Sequence, residues 1–129
     1  AEQRAVFDPH RLSAYIEVGT PEKAIPMLEQ SEREFPDDYN PPARLAYVYK
    51  AMKQWDQALA ASDRALARVY GPRKLQVLTL RTDIFLGKGD KKAARETLQQ
   101  AIEFAKALPA PQRSEQRIKM FEKRLAEIQ

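Results

Sequence analysis

The sequence predicts an all-α fold, an α-solenoid of three helix-turn-helix repeats closed by a C-terminal capping helix, forming a single domain over residues 1–129. Three observations predict it. Small residues recur at nearly constant spacing, with Ala24, Ala58 and Ala94 lying 34 and 36 residues apart. That is the period of two-helix solenoid repeats and is far from heptad or strand periods. Apolar residues return at helical intervals, and no segment alternates with period two. Each unit also carries residues that start and stop helices.

Sliding the chain along itself aligns three segments: Gly19-Thr-Pro-Glu-Lys-Ala-Ile, Lys53-Gln-Trp-Asp-Gln-Ala-Leu and Lys88-Gly-Asp-Lys-Lys-Ala-Ala-Arg. Each marks a turn followed by a helix. The predicted helices span 8–18, 21–35, 41–53, 55–70, 73–87, 90–108 and 112–128, grouped as repeats over 8–36, 40–70 and 73–108 with a cap over 111–128. Thr20 is positioned to cap a helix, with Pro21 in the first turn where its missing N–H costs nothing. Asn40 and Pro41 repeat the device. Gly71 and Pro72 make a break. Gly89 supplies a stop and Asp90 a new cap, giving a tight reversal. The core stripes are Leu45, Val48, Tyr49 and Met52; Leu59, Ala65, Leu66 and Val69; and Val77, Leu78, Leu80, Ile84 and Phe85. Pro26 conflicts with a helix running from Pro21, because it would remove a backbone hydrogen bond and clash with the preceding turn. Either that helix begins later or it is bent there.

Composition narrows the function classes. With no cysteine, a disulfide framework, thiol catalysis and cysteine-ligated zinc are all excluded. A cysteine-free chain suits reducing and oxidising compartments alike, so cytoplasm and periplasm both remain open. No apolar run approaches the ~20 residues that span a bilayer, and a soluble chain without membrane insertion is expected. The net charge of +4 is unevenly spread. Residues 1–63 hold 7 basic and 11 acidic side chains, residues 64–129 hold 15 and 7, giving −4 and +8. Such a bipolar field draws acidic partners towards the C-terminal half.

The central unit, from Pro42 to Leu66, resembles the tetratricopeptide repeat. Leu45, Ala46 and Tyr49 fill the family's large, small and aromatic places in the first helix. Trp55, Ala58 and Ala65 fill the aromatic and small places of the second, where helix backbones approach within ~8–10 Å. The third unit matches at Thr82, Phe85, Ala94, Leu98 and Ala101, and the first at Leu12, Tyr15, Ala24, Leu28 and Pro36. Ser62, Ser31, Arg11 and Arg81 depart from the pattern. Ile118, Phe121, Leu125 and Ile128 share a face, with Arg113, Arg117, Lys119, Lys123 and Arg124 mostly off it, similar to the family's capping helix. The resemblance covers residues 8–128 and implies a right-handed superhelix. It also implies a non-catalytic module that binds a protein or peptide, with the first helix of each pair lining the inner groove. The resemblance implies as an alternative an accessory appendage of a larger bacterial protein, such as a thioredoxin-like one.

On that implication the partner-binding groove comprises Ser13, Ile16 and Glu17; Asn40, Ala43, Tyr47 and Lys50; and Gln76, Thr79, Asp83 and Leu86. Tyr47 stands out, because two residues from core Tyr49 on a helix it cannot share the same interior. The carboxylate clamp of some family members falls here on Pro9, Ser13, Arg44, Gln76 and Leu80, where only Arg44 is suited to it. A second surface is basic: Arg73, Lys74, Lys88, Lys91, Lys92 and Arg95 form either a patch for an acidic partner or an ordinary solvated face. The +8 half makes nucleic-acid binding the rival reading, disfavoured because the acidic half repels a polyanion and no aromatics interleave the basic residues. An enzyme is not expected. His10 is the single histidine, there is no phosphate loop or HExxH motif, and no cofactor or metal ligand set is present. Glu32 with Glu34, and Asp37 with Asp38, read as solvation at helix ends and loops.

Overall fold

The computed structural model describes residues 20–128, which form six α-helices and, among the described residues, no strand. The predicted helix over 8–18, with His10, Arg11, Ser13, Ile16 and Glu17, lies outside the described residues. Two compact units divide between Val69 and Tyr70.

In the first unit the conflict at Pro26 resolves by a late start. Pro21–Ala24 is a 3-10 turn, and α1, Ile25–Glu34, begins only after it. Pro26 therefore falls in the first turn, where its absent N–H breaks no helical bond. The side chain of Thr20 makes no capping bond to the turn, contrary to the expected role. At α2, Asn40–Ala51, the assigned cap also shifts. Asn40 is already helical, and the Asp38 carboxylate accepts both its backbone N–H at 2.9 Å and its side-chain amide at 3.0 Å. The stronger acceptor takes the free N–H. Asp38 is thus a capping group rather than a solvating one.

The hairpins α2–α3 (Trp55–Arg68) and α4–α5 (Lys74–Lys88 and Lys91–Ala107) are the most extensive helix pairings among the described residues. Both reverse in the same way. After α4, Gly89 adopts φ +90° and Asp90 N–H bonds the Phe85 carbonyl at 2.8 Å. After α2, Lys53 adopts φ +60° and Gln54 N–H bonds the Tyr49 carbonyl at 2.9 Å. This six-residue closure needs a left-handed residue and normally recruits glycine. Asp90 caps α5 as expected, accepting from Ala93 N–H at 3.0 Å, whereas Gln54 makes no side-chain cap for α3. A further 3-10 turn, Gly71–Arg73, begins with Gly71 at φ +67° and leads into α4.

Small residues sit where the helices cross. Ala46, Ala58, Ala61, Ala65, Ala94 and Ala101 are fully buried, which permits close approach of the backbones. Leu28, Leu45, Val48, Leu78, Ile84 and Leu98 fill the remaining core, while Tyr49, Met52, Leu59, Leu66, Leu80 and Phe85, all expected in the core stripes, are only half-buried. The polar departures are accommodated differently. Ser62 donates to the Leu59 carbonyl at 2.8 Å and buried Thr82 to the Leu78 carbonyl at 2.9 Å. The buried hydroxyl of Ser31 has no partner among the described residues, a cost of about 1–3 kcal/mol. Arg81 stays half-buried with its guanidinium 5.5 Å from the Phe85 ring.

Glu32 on α1 is clamped by α3, which corrects its reading as solvation. Arg64 binds it at 2.8 and 3.2 Å through two nitrogens, and Arg68 at 3.0 Å, with Arg68 also reaching the Asp38 carbonyl at 3.4 Å. Burial alone would raise the Glu32 carboxyl, but the hydrogen bonds and charge of Arg64 and then Arg68 outweigh it and lower its pKa. The bond to Glu32 raises that of Arg64. The clamp ties α1 to α3 across the chain.

The chain ends in α6, Glu115–Glu127, which packs on α5 with Ile118 and Phe121 buried. It starts later than residue 112, because Ala110–Gln112 is a 3-10 turn and Ser114 Oγ caps the helix by accepting from Arg117 N–H at 3.1 Å.

Lys53→Gly is expected to raise stability by about 0.5–1 kcal/mol, because a left-handed conformation costs an L residue ~1–2 kcal/mol and glycine's freedom in the unfolded chain returns part of the gain. Urea unfolding in which this variant is no more stable than the parent refutes the account. Glu32→Gln is expected to cost about 1 kcal/mol at neutral pH. The lowered folded pKa means the carboxylate's contribution is complete above its unfolded value near ~4.3 and is lost as pH falls through the folded one. Unfolding curves of parent and variant at pH 7, 5 and 3 should therefore converge in acid.

Candidate protein-interaction surface

In the first unit, Asn40, Ala43, Tyr47 and Lys50 lie three or four residues apart and so form one stripe of α2. Leu45 and Val48 point into the core instead. Asn40, Ala43 and Lys50 are half-buried, while Tyr47 is 46% exposed with the Lys50 ammonium 5.2 Å from its ring centroid. The pair offers an aromatic face and a cation side by side. Arg44, next on the helix, is half-buried.

In the second unit the corresponding stripe of α4 is Gln76, Thr79, Asp83 and Leu86, with Gln76 exposed and the others half-buried. It does not stand alone. Leu75, Gln76 and Thr79 make one wall of a cleft of about 270 Å³ whose other wall is Arg117, Met120 and Phe121 of α6. Thr79 spends its hydroxyl proton on the Leu75 carbonyl at 2.8 Å. Asp83 is engaged by the Arg124 guanidinium, so its charge is neutralised from within the unit. The two walls run in step: residues 75–79 lie opposite 117–121 across the cleft, and Asp83 pairs with Arg124. The two helices therefore run parallel, each antiparallel to α5 between them.

The contribution of α6 to this surface was not drawn from the sequence, where α6 reads only as a cap. The signal was present: Met120 falls off the Ile118–Phe121–Leu125 stripe and is 59% exposed.

The six basic residues do not form one patch. Lys88, Lys91 and Lys92 are exposed, and Arg95 half-buried, around the α4–α5 turn. Arg73 and Lys74 lie at the opposite end of α4, about 20 Å away at ~1.5 Å per residue. Lys74 is drawn over the Phe104 ring at 4.9 Å. The sequence places these residues near one another only if the length of the helix between them is ignored.

Helix pairs of this size, small residues at each crossing and paired reversals one period apart define a helical-repeat protein. The family model described as Tetratricopeptide repeat matches residues 39–107, more than half of the chain and all of α2 to α5. The chain belongs to the tetratricopeptide repeat family. Such repeats are in general protein–protein interaction modules, so proteins are the expected class of partner. Among curated proteins and among solved structures nothing matches the chain. No helix among the described residues is long and apolar enough to cross a membrane.

Asp83 and Arg124 are each about one-third exposed, so solvent screens their attraction. A double-mutant cycle with Asp83→Asn and Arg124→Gln, read by chemical unfolding, is expected to give a coupling of at most about 1 kcal/mol. A coupling of zero would mean the contact does not hold α6 against α4.

Proposed function

We propose that the chain is a non-catalytic interaction module that holds a partner peptide or helix on the first-helix faces of its repeats. The observation that carries this reading is Tyr47, an aromatic left half in solvent on a helix whose Leu45 and Val48 turn inward, with a lysine ammonium against its ring. A rigid amphipathic side chain of this kind supplies contact area at low entropic cost, and tyrosines are enriched at binding hot spots. The faces of α2 and α4 contribute separately, Tyr47 with Lys50 on one and Gln76 with Thr79 on the other.

Nucleic-acid binding finds less support. Lys88, Lys91 and Lys92 are exposed at the α4–α5 turn and Arg113, Arg117, Lys119 and Lys123 at and along α6, and no exposed aromatic of α5 or α6 accompanies them as a stacking platform. An acidic protein partner would use those cations without needing stacking. The absence of cysteine and the single histidine favour binding over chemistry.

The test is capture of partners from lysate by the immobilised chain, compared with Tyr47→Ala and Lys50→Ala. Loss of Tyr47 is expected to weaken the principal captured protein at least fivefold, and loss of Lys50 by less. Retention of every partner by both variants at parental levels would remove α2 from the binding surface.

A further inference from the structure

We infer that the α4–α6 cleft is a specificity subsite for a peptide that places an aliphatic side chain beside a carboxylate. This rests on the interaction-module reading and specifies its ligand. The lining is mostly apolar, floored by Leu75 and Phe121 and edged by the 59% exposed side chain of Met120. A volume of about 270 Å³ lies just below the ~300 Å³ at which small-ligand pockets begin and suits a peptide side chain or two. Methionine is an adaptable wall, since its unbranched, polarizable chain moulds to different apolar shapes.

Charge decides the neighbour of that apolar group. Along α6, Arg117 and Arg124 are two turns apart on one face and bracket the cleft. Arg124 is compensated by Asp83, whereas the exposed Arg117 guanidinium has no ion pair among the described residues. The cleft therefore has one neutralised end and one free cation with forked donors, the group best matched to a carboxylate. Gln76, exposed on the opposite wall, can bond the peptide backbone or the same carboxylate. A basic peptide would meet Arg117 with like charge, and a wholly polar one would leave the apolar floor uncovered.

The probe is a blocked pentapeptide, acetyl-Gly-Leu-Glu-Leu-Gly-amide, titrated into the isotope-labelled chain while amide and methionine methyl resonances are followed. The expected result is saturable shifts at Gln76, Thr79 and Met120. Binding should be at least fivefold weaker for the peptide with lysine in place of glutamate, and likewise with serine in place of both leucines. Arg117→Glu, on the exposed face and not required for packing, should reverse the preference between glutamate and lysine. Equal binding of the charge variants, shifts confined to other helices, no shifts at several millimolar peptide, or stronger shifts of the same resonances by an octauridylate each overturn the proposal. Capture of the lysate partner that depends on Tyr47 but not on Arg117 or Met120 would overturn this subsite while leaving the interaction-module reading intact. Capture that depends on none of the three defeats both.

Discussion

The close approach of helix backbones governs both hairpins. In the α2–α3 hairpin Ala46, Ala58, Ala61 and Ala65 are fully buried, and in the α4–α5 hairpin Ala94 and Ala101 of α5 are, beside Thr82 and the larger apolar residues of α4. A methyl group is the largest substituent that keeps two helices near the lower end of their packing distance. This constraint sets the repeat period, since the small residues must return once per helix pair. It also fixes which stripe of each first helix is left to face outward.

Around that constraint the polar residues of the interior follow a simple rule. Ser62, Thr82 and Thr97 return their hydroxyl protons to carbonyls three or four residues earlier in the same helix and so present only carbon to the neighbouring helix. Ser31 breaks the rule among the described residues and is the place where the first unit carries avoidable cost. The Glu32 clamp offsets some of it nearby. Two arginines one turn apart on α3 share one carboxylate, so the contact fixes the register between α1 and α3 as well as adding attraction.

Most of the fold was legible in the sequence, because helix formation and crossing are written in local spacing. The recurring alanines are buried and the Gly89–Asp90 reversal forms where expected, while the inward stripes are buried only in part. Pro26 had two possible resolutions, and only the 3-10 turn of residues 21–24 chose between them. What the sequence hid was contact at a distance. Glu32 meets Arg64 and Arg68 across more than 30 residues, Asp83 meets Arg124 across 41, and the basic residues are parted by the length of α4. The candidate surface was legible to the same degree. The exposure of Tyr47 follows from its phase relative to Tyr49, but the wall that α6 sets against α4 depends on packing that no spacing rule contains.

That wall gives α6 two duties. The helix that seals the apolar flank of α5 also supplies half the lining beside Gln76 and Thr79. The number of helix pairs before α6 and the lining of this cleft are therefore linked. A duplication that inserted another helix pair before α6 would set a new first helix against α4 and carry Arg117 and Met120 away with the displaced terminal helix. Recombination at this boundary can change the lining of the cleft without altering a single residue of the preceding helix pairs.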